Sequence, residues 1–197
     1  MVAPVELLRF RCTGCGNCCR DPLLPLTDSD LARISEHTGD APADIVRFID
    51  KDAIDLDNEP EAFVSLRQGR RVMVLRHQLG ACRYLGDEDR CRIYAARPLG
   101  CRIFPFDPSY DRRGKLKRLK LIDATDCKYE LDGSNDPCDL KQLHAEYQTA
   151  TQAYQRKIAE WNRRQQRRRR AGNTTETTAQ FFAFLGLLGP EARKATP

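Results

Sequence analysis

Ten consecutive residues, Arg11-Cys12-Thr13-Gly14-Cys15-Gly16-Asn17-Cys18-Cys19-Arg20, constrain this chain more than any other stretch. Thiolates are soft ligands that favour zinc, copper(I) and iron–sulfur clusters. A spacing of two residues lets neighbouring thiolates converge on one centre. Gly14 and Gly16 permit the tight turns with positive φ that such wrapping requires, and backbone N–H groups in those turns can point at the sulfurs and offset their charge. Cys18 and Cys19 add a constraint. Successive side chains on an extended backbone point to opposite sides, so the two either feed two centres or divide into one ligand and one packed thiol.

Five more cysteines follow, at positions 82, 91, 101, 127 and 138. Cys12, Cys15, Cys18 and Cys19 with Cys82, Cys91, Cys101 and Cys127 make eight candidate ligands. That suffices for two four-sulfur sites or one larger cluster, and it leaves Cys138, at the edge of the region, as the spare. Zinc sites usually draw on paired CxxC knuckles, whereas the second half offers single cysteines. Three cysteines at two-residue spacing with a distant fourth read as an iron–sulfur arrangement, although the proline that usually follows the fourth ferredoxin cysteine is missing. The expected cofactor is therefore an iron–sulfur cluster or iron, with zinc as the alternative. Arg92, Arg97 and Arg102 lie among these cysteines, either as surface cations or as donors that neutralise thiolates. Tyr94, Phe104 and Phe106 read as packing around the site. His77 is a possible further ligand on a strand.

The compartment bears on the chemistry. No apolar run near the start is long enough for a signal peptide. The longest one, at 181–189, is far short of the ~20 residues that span a bilayer. The expectation is a cytoplasmic chain, where clustered cysteines serve metal binding or catalysis rather than disulfides.

Thr27 caps an expected helix over residues 27–38, with Asp30 at its third position, Leu31 and Ile34 inward and Gly39 as its stop. Asp40 and Pro42 open a second expected helix that turns Ile45, Val46 and Ile49 inward. Residues 50–61 read as a solvated acidic loop, since the glycine of a calcium loop is missing. A hairpin is expected about Arg67-Gln68-Gly69-Arg70. A basic strand is expected in the Lys115–Ile122 stretch.

From Asp139 the pattern is helical. Leu140, Leu143, Tyr147, Ala150, Tyr154, Ile158 and Trp161 form one apolar stripe. Residues 139–170 hold nine Lys/Arg against three Asp/Glu, so the chain's formal charge of +5 belongs to this segment. Arg163 to Arg170 could contact nucleic acid through phosphates, dock on an acidic protein, or end the helix with cations that suit its dipole. The chain thus divides into a metal domain at 1–138, a basic helix at 139–170, and a linker with a short apolar helix at 171–197. That last helix is expected to end before Gly189-Pro190. The fold class is α+β, small, irregular and organised by metal.

The first block, CxxCxxCC between Phe10 and Arg20, resembles the YkgJ-type cysteine-cluster proteins, described as zinc- or iron-chelating domains. So does the second: Cys82, Cys91-Arg92-Ile93-Tyr94, Arg97-Pro98, Cys101-Arg102 and Phe104-Pro105. The resemblance covers about residues 8–130 and implies metal chelation there. The cysteine block is also similar to that of flagellin lysine methylases, which are larger; this chain has no room for a separate S-adenosylmethionine domain, so that activity is not carried over. Two other classes stand beside metal binding: a cluster-dependent redox or protein-modifying enzyme, and a metal-stabilised nucleic-acid module. No Ser/His/Asp set, phosphate loop or dinucleotide fingerprint is present.

Overall fold

A computed structural model describes residues 4–21, 23–54, 56, 59–123 and 125–188. It has mixed α and β elements in two compact units. One unit joins the segment ending at Leu24 to His77–Thr149, and the other joins Pro25–Arg76 to the segment from Ala150. All nine cysteines fall in the first. The long helix Pro137–Arg170 contributes its beginning to the first unit and the rest to the second.

The second unit is built on a three-stranded antiparallel sheet. Its central strand, Gly69–Leu75, lies between Val46–Asp50 and Val64–Leu66. Val72, Met73, Val74 and Leu75 are all buried, as expected of a strand covered on both faces. The helix Asp28–Thr38 forms as its caps dictate. The Thr27 side chain accepts from the Asp30 N–H, Asp30 answers to the Thr27 N–H, and Gly39 ends the helix at φ 75°. Leu31 and Ile34 on its inner side are fully buried. The hairpin about residues 67–70 also forms as its turn residues predict.

The second expected helix is only one turn long, Pro42–Ile45, and its N-cap is Ala41 rather than Asp40. Val46 and Ile49 still point inward, but from a strand. β-Branched residues suit a pleated surface, and here Val46 and Ile49 pair with Leu75 and Val72. The Trp161 ring packs 5.1 Å from Phe181, and its Nε1 donates to the Ser65 carbonyl at 2.8 Å. Phe181 and Phe182 belong to the helix Thr178–Phe184; Gly189 and Pro190 lie outside the described residues.

In the first unit, Leu7, Phe10, Ile103, Phe106, Leu119 and Leu140 make a small core against which Leu143 and Cys127 pack. The basic strand Leu116–Leu121 buries Leu119 and turns Lys117, Arg118 and Lys120 to solvent. It pairs with Phe106–Tyr110, a strand that Pro108 hid from a reading by pattern.

Candidate metal centre

The cysteine block is held from two sides. On one side, the strand Arg11–Cys12 pairs antiparallel with Tyr129–Glu130, placing Cys12 opposite Tyr129. Thr13 Oγ1 donates to the Lys128 carbonyl at 2.9 Å, and Asn17 Nδ2 donates to the Asp126 carbonyl at 2.7 Å. Cys127 lies between those two acceptors, so the same hydrogen bonds bring it against the 12–17 loop. Arg11 pairs with Asp132 at 2.7 Å and with Glu130, which clamps the base of this arrangement.

On the other side stands the 87–90 loop. Gly14 and Gly16 adopt φ of 72° and 69°, the left-handed turns their sequence positions predict. A side chain at Gly16 would also collide, since a Cβ there would come 2.9 Å from the Asp89 Cβ. A Cβ on Gly14 would lie 3.0 Å from Arg90 Nη1. Arg20 pairs with Asp89 at 2.5 Å. Directly after Gly16 the chain makes one 3₁₀ turn over Asn17–Cys19. Three residues per turn separate successive side chains by about 120°. Cys18 and Cys19 thus leave a helical turn, not the extended backbone the sequence suggested, and their thiols stay within hydrogen-bond reach of each other.

The second block supplies its thiols from short elements. His77–Gln78 and Ala81–Cys82 form a hairpin through Leu79 and Gly80, both at positive φ (50° and 81°), the tight turn that suits strand twist. His77 stands across the pair from Cys82. Cys82 is buried, and its Sγ accepts the Tyr84 N–H at 3.4 Å. The chain then folds back through the Leu85–Cys91 bridge, with the Arg92 N–H on the Tyr84 carbonyl. Cys101 rides on the short helix Leu99–Ile103.

The thiols influence one another's ionisation. A hydrogen bond from Cys19 holds Cys18 down at about 6, helped by the charge of Arg97, while burial opposes. The same bond pushes Cys19 up, as do burial and the charges of Cys18, Cys82 and Cys101. Burial raises Cys82, against the Tyr84 N–H that stabilises its thiolate; Cys91 and Cys18 raise it further. Cys101 rises through burial and then through Cys82, Cys18 and Cys91, with Arg97 opposing. Burial lifts Cys127 to about 11, and Cys12, Cys15 and Cys18 add to it.

All nine cysteines are free thiols. Eight of them enter this mutual field. Cys138 is exposed at the start of the long helix, where its N–H donates to Asp136. Among the described residues, no three Cys, His, Asp or Glu side chains stand in a formed metal cage. The donor set nevertheless suits a soft cation. It consists of thiols that repel one another when ionised, an effect that a bound cation reverses. Two of their sulfurs also accept backbone N–H groups, Gly14 onto Cys12 and Tyr84 onto Cys82.

The arginines divide. Arg97 acts on Cys18 and Cys101 and stacks 3.6 Å over the Tyr94 ring. Arg92 instead bonds the Arg83 carbonyl, and Arg102 lines a surface hollow with Asp136, Asp139 and Glu146. Tyr94 is 66% exposed, so it is no part of the packing, whereas Phe106 is core. Arg20, whose charge bears on Cys15 and Cys19, is the site residue that sequence reasoning gave no role. Its partner Asp89 lies 69 residues away, so no local pattern could reveal the pair.

The apolar stripe of the long helix is buried at Leu140, Tyr154, Ile158 and Trp161, and half-open at Tyr147. Within the arginine run, Arg164 pairs with Glu176 at 2.5 Å, and Arg168 reaches the same carboxylate at 3.9 Å. Arg163, Arg167, Arg169 and Arg170 are exposed. No helix among the described residues is long and apolar enough to cross a membrane.

No curated protein and no solved structure matches the chain. A family profile does, over residues 11–139, a span that contains both cysteine blocks and ends as the long helix begins. The chain belongs to the CxxCxxCC family, titled "Putative zinc- or iron-chelating domain".

Proposed function

We propose that this protein holds metal through Cys12, Cys15, Cys18, Cys19, Cys82, Cys91, Cys101 and Cys127, as an iron–sulfur cluster or iron, with zinc as the alternative. The reading rests on one observation: both cysteine blocks lie within the family match, and the fold ties the chain around Cys127 to the Cys12–Asn17 loop and the 87–90 loop to Arg20. Arg97 and Arg20 supply compensating positive charge at the edges of the set. Ligand thiols must shed their protons, so metal uptake releases protons and strengthens as pH rises. Free thiols on this scale fit a reducing, cytoplasmic setting. The bound metal serves structure, chelation or electron transfer.

Anaerobic purification, followed by metal and acid-labile sulfide analysis, tests the reading. A brown protein with sulfide close to its iron content supports a cluster, and iron without sulfide supports a mononuclear site. A colourless protein with stoichiometric zinc moves the assignment to zinc. A folded protein that neither carries nor takes up any of these metals overturns it.

A further inference from the structure

In the sheet of the second unit, the strand Val46–Asp50 has a neighbour on one side only among the described residues. Along its open edge lies a hollow of about 540 Å³, within the roughly 300–1,000 Å³ typical of small-molecule sites. Arg47, Arg71 and Arg76 line it, and among the described lining residues none is acidic. Because the strand is an edge, residues from both of its faces, Arg47 and Phe48, reach the same space. Phe48 packs 5.8 Å from Phe182, and the two rings give the hollow an apolar wall.

The protein does not use up these guanidiniums. Arg71 pairs with Asp50 at 2.8 Å and donates to the Gln68 carbonyl at 3.0 Å. Arg76 is fixed through Nη2, which donates to the Ala43 and Val46 carbonyls at 2.6 and 3.0 Å. Those bonds leave the other N–H donors of its fork unused, and its Nε is buried with no hydrogen-bond partner among the described residues. Such orphaned donors are rare in folded proteins. Neither Arg47 nor Arg76 has an acidic partner among the described residues. Set against the single carboxylate of Asp50, the three arginines leave two positive charges uncompensated.

We propose that this hollow binds a phosphate monoester with an aromatic body, its phosphate held by Arg47, Arg71 and Arg76 and its ring against Phe48 and Phe182. The planar fork of arginine matches phosphate oxygens. A monoester carries about −1.5 to −2 charge at pH 7, which meets the local excess, whereas a carboxylate meets only half of it. The wall of two rings suits an aromatic body, since rings pack edge-on or offset against one another. This unit holds none of the nine cysteines, so the site stands independently of the metal centre.

Isothermal titration of the full chain with phenyl phosphate tests this. Phenyl phosphate should bind at one site per chain, about tenfold or more tighter than inorganic phosphate, because its ring leaves water. Benzoate, with the same ring and a single charge, should bind more weakly than phenyl phosphate. Arg47→Gln and Arg76→Gln should each weaken phenyl phosphate about tenfold or more, the effect of a lost hydrogen bond to a charged group. Phe48→Leu should weaken phenyl phosphate and leave inorganic phosphate unchanged. Arg169→Gln removes the same charge from the exposed helix end and should change nothing. No binding of phenyl phosphate at millimolar concentration overturns the site. So does inorganic phosphate or benzoate binding as tightly as phenyl phosphate, or Arg169→Gln weakening it as much as Arg47→Gln does. Arg76 also braces the chain at Ala43 and Val46. Arg47, exposed and without an acidic partner, decides the matter if Arg76→Gln does not fold.

Discussion

Gln165 and Glu176 hold each other in a reciprocal pair: Gln165 Nε2 donates to the Glu176 carboxylate at 2.8 Å, and the Glu176 backbone N–H donates to Gln165 Oε1 at 2.9 Å. Both residues are buried, at 1% and 4% exposure, and Arg164 completes the carboxylate's shell. Removing one partner of a buried charged network leaves the others unpaired, which costs about 3–5 kcal/mol. Arg164 is half-exposed, so the cost here falls at or below the bottom of that range. Glu176→Ala should therefore lower stability by about 2–3 kcal/mol, read as a shift of the urea midpoint, with thiol content unchanged.

The exposed arginines should behave differently. Replacing Arg163, Arg167, Arg169 and Arg170 by Gln should change stability by less than about 0.5 kcal/mol, as for surface sites in general. Arg164→Gln should destabilise through Glu176. Any nucleic-acid contact of this helix end would have to come from the exposed four. Such binding would fall steeply with salt, show little sequence preference, and vanish in the fourfold variant. Oligonucleotide binding measured across ionic strengths checks all three properties.

Trp161 is fully buried, with Phe181 and Phe184 against its ring and the Ser65 carbonyl on its indole N–H. Trp161→Phe keeps most of the packing but strands that carbonyl, for a loss of about 1–3 kcal/mol. Trp161→Ala should cost about 3–5 kcal/mol. Near-equal losses in the two variants would show that the hydrogen bond, not the ring, dominates.

Asp111 organises the turn between the strands Phe106–Tyr110 and Leu116–Leu121. Its carboxylate accepts the N–H groups of Arg113 and Lys115 at 2.8 and 2.9 Å. The Lys115 N–H chiefly, with that of Arg113 and the charges of Lys115 and Lys141, holds its pKa below the ordinary value. A depressed folded pKa means stabilisation that is present above the unfolded value, about 3.9, and is lost as pH falls through the folded one. Amide exchange at Arg113 and Lys115, corrected for intrinsic rates, should lose protection below about pH 4. In Asp111→Ala it should be equally fast at neutral pH.

Among the cysteines, Cys12→Ser and Cys101→Ser should each lower metal content, because serine is nearly isosteric but a poor soft ligand. Cys138→Ser should leave it at the wild-type level, since that thiol is exposed at the start of the long helix. Full metal occupancy in both of the first two variants would overturn the ligand assignment. Metal should also support the fold, given ~10–16 kcal/mol of apparent binding energy at a structural thiolate site. Stripping it should melt the cysteine-bearing unit, as circular dichroism would record.

Local chemistry was legible from the sequence wherever neighbours in the chain decide the outcome. The Thr27–Asp30 capping box, the αL stop at Gly39, the positive φ of Gly14 and Gly16, and the long helix all depend on residues within a few positions of one another. So did the family, because its two cysteine blocks are short runs at readable spacing. Tertiary structure decided what depends on distant partners. Val46–Asp50 became a strand because the chain at 71–75 offered an unpaired edge, and pairing outweighed a helical start at Pro42. Arg20 found Asp89, Cys127 came to the first cysteine loop, and two of the arginines turned to Glu176. Each of these needs a partner beyond the reach of local pattern, and its energy appears only when the chain between its ends has closed.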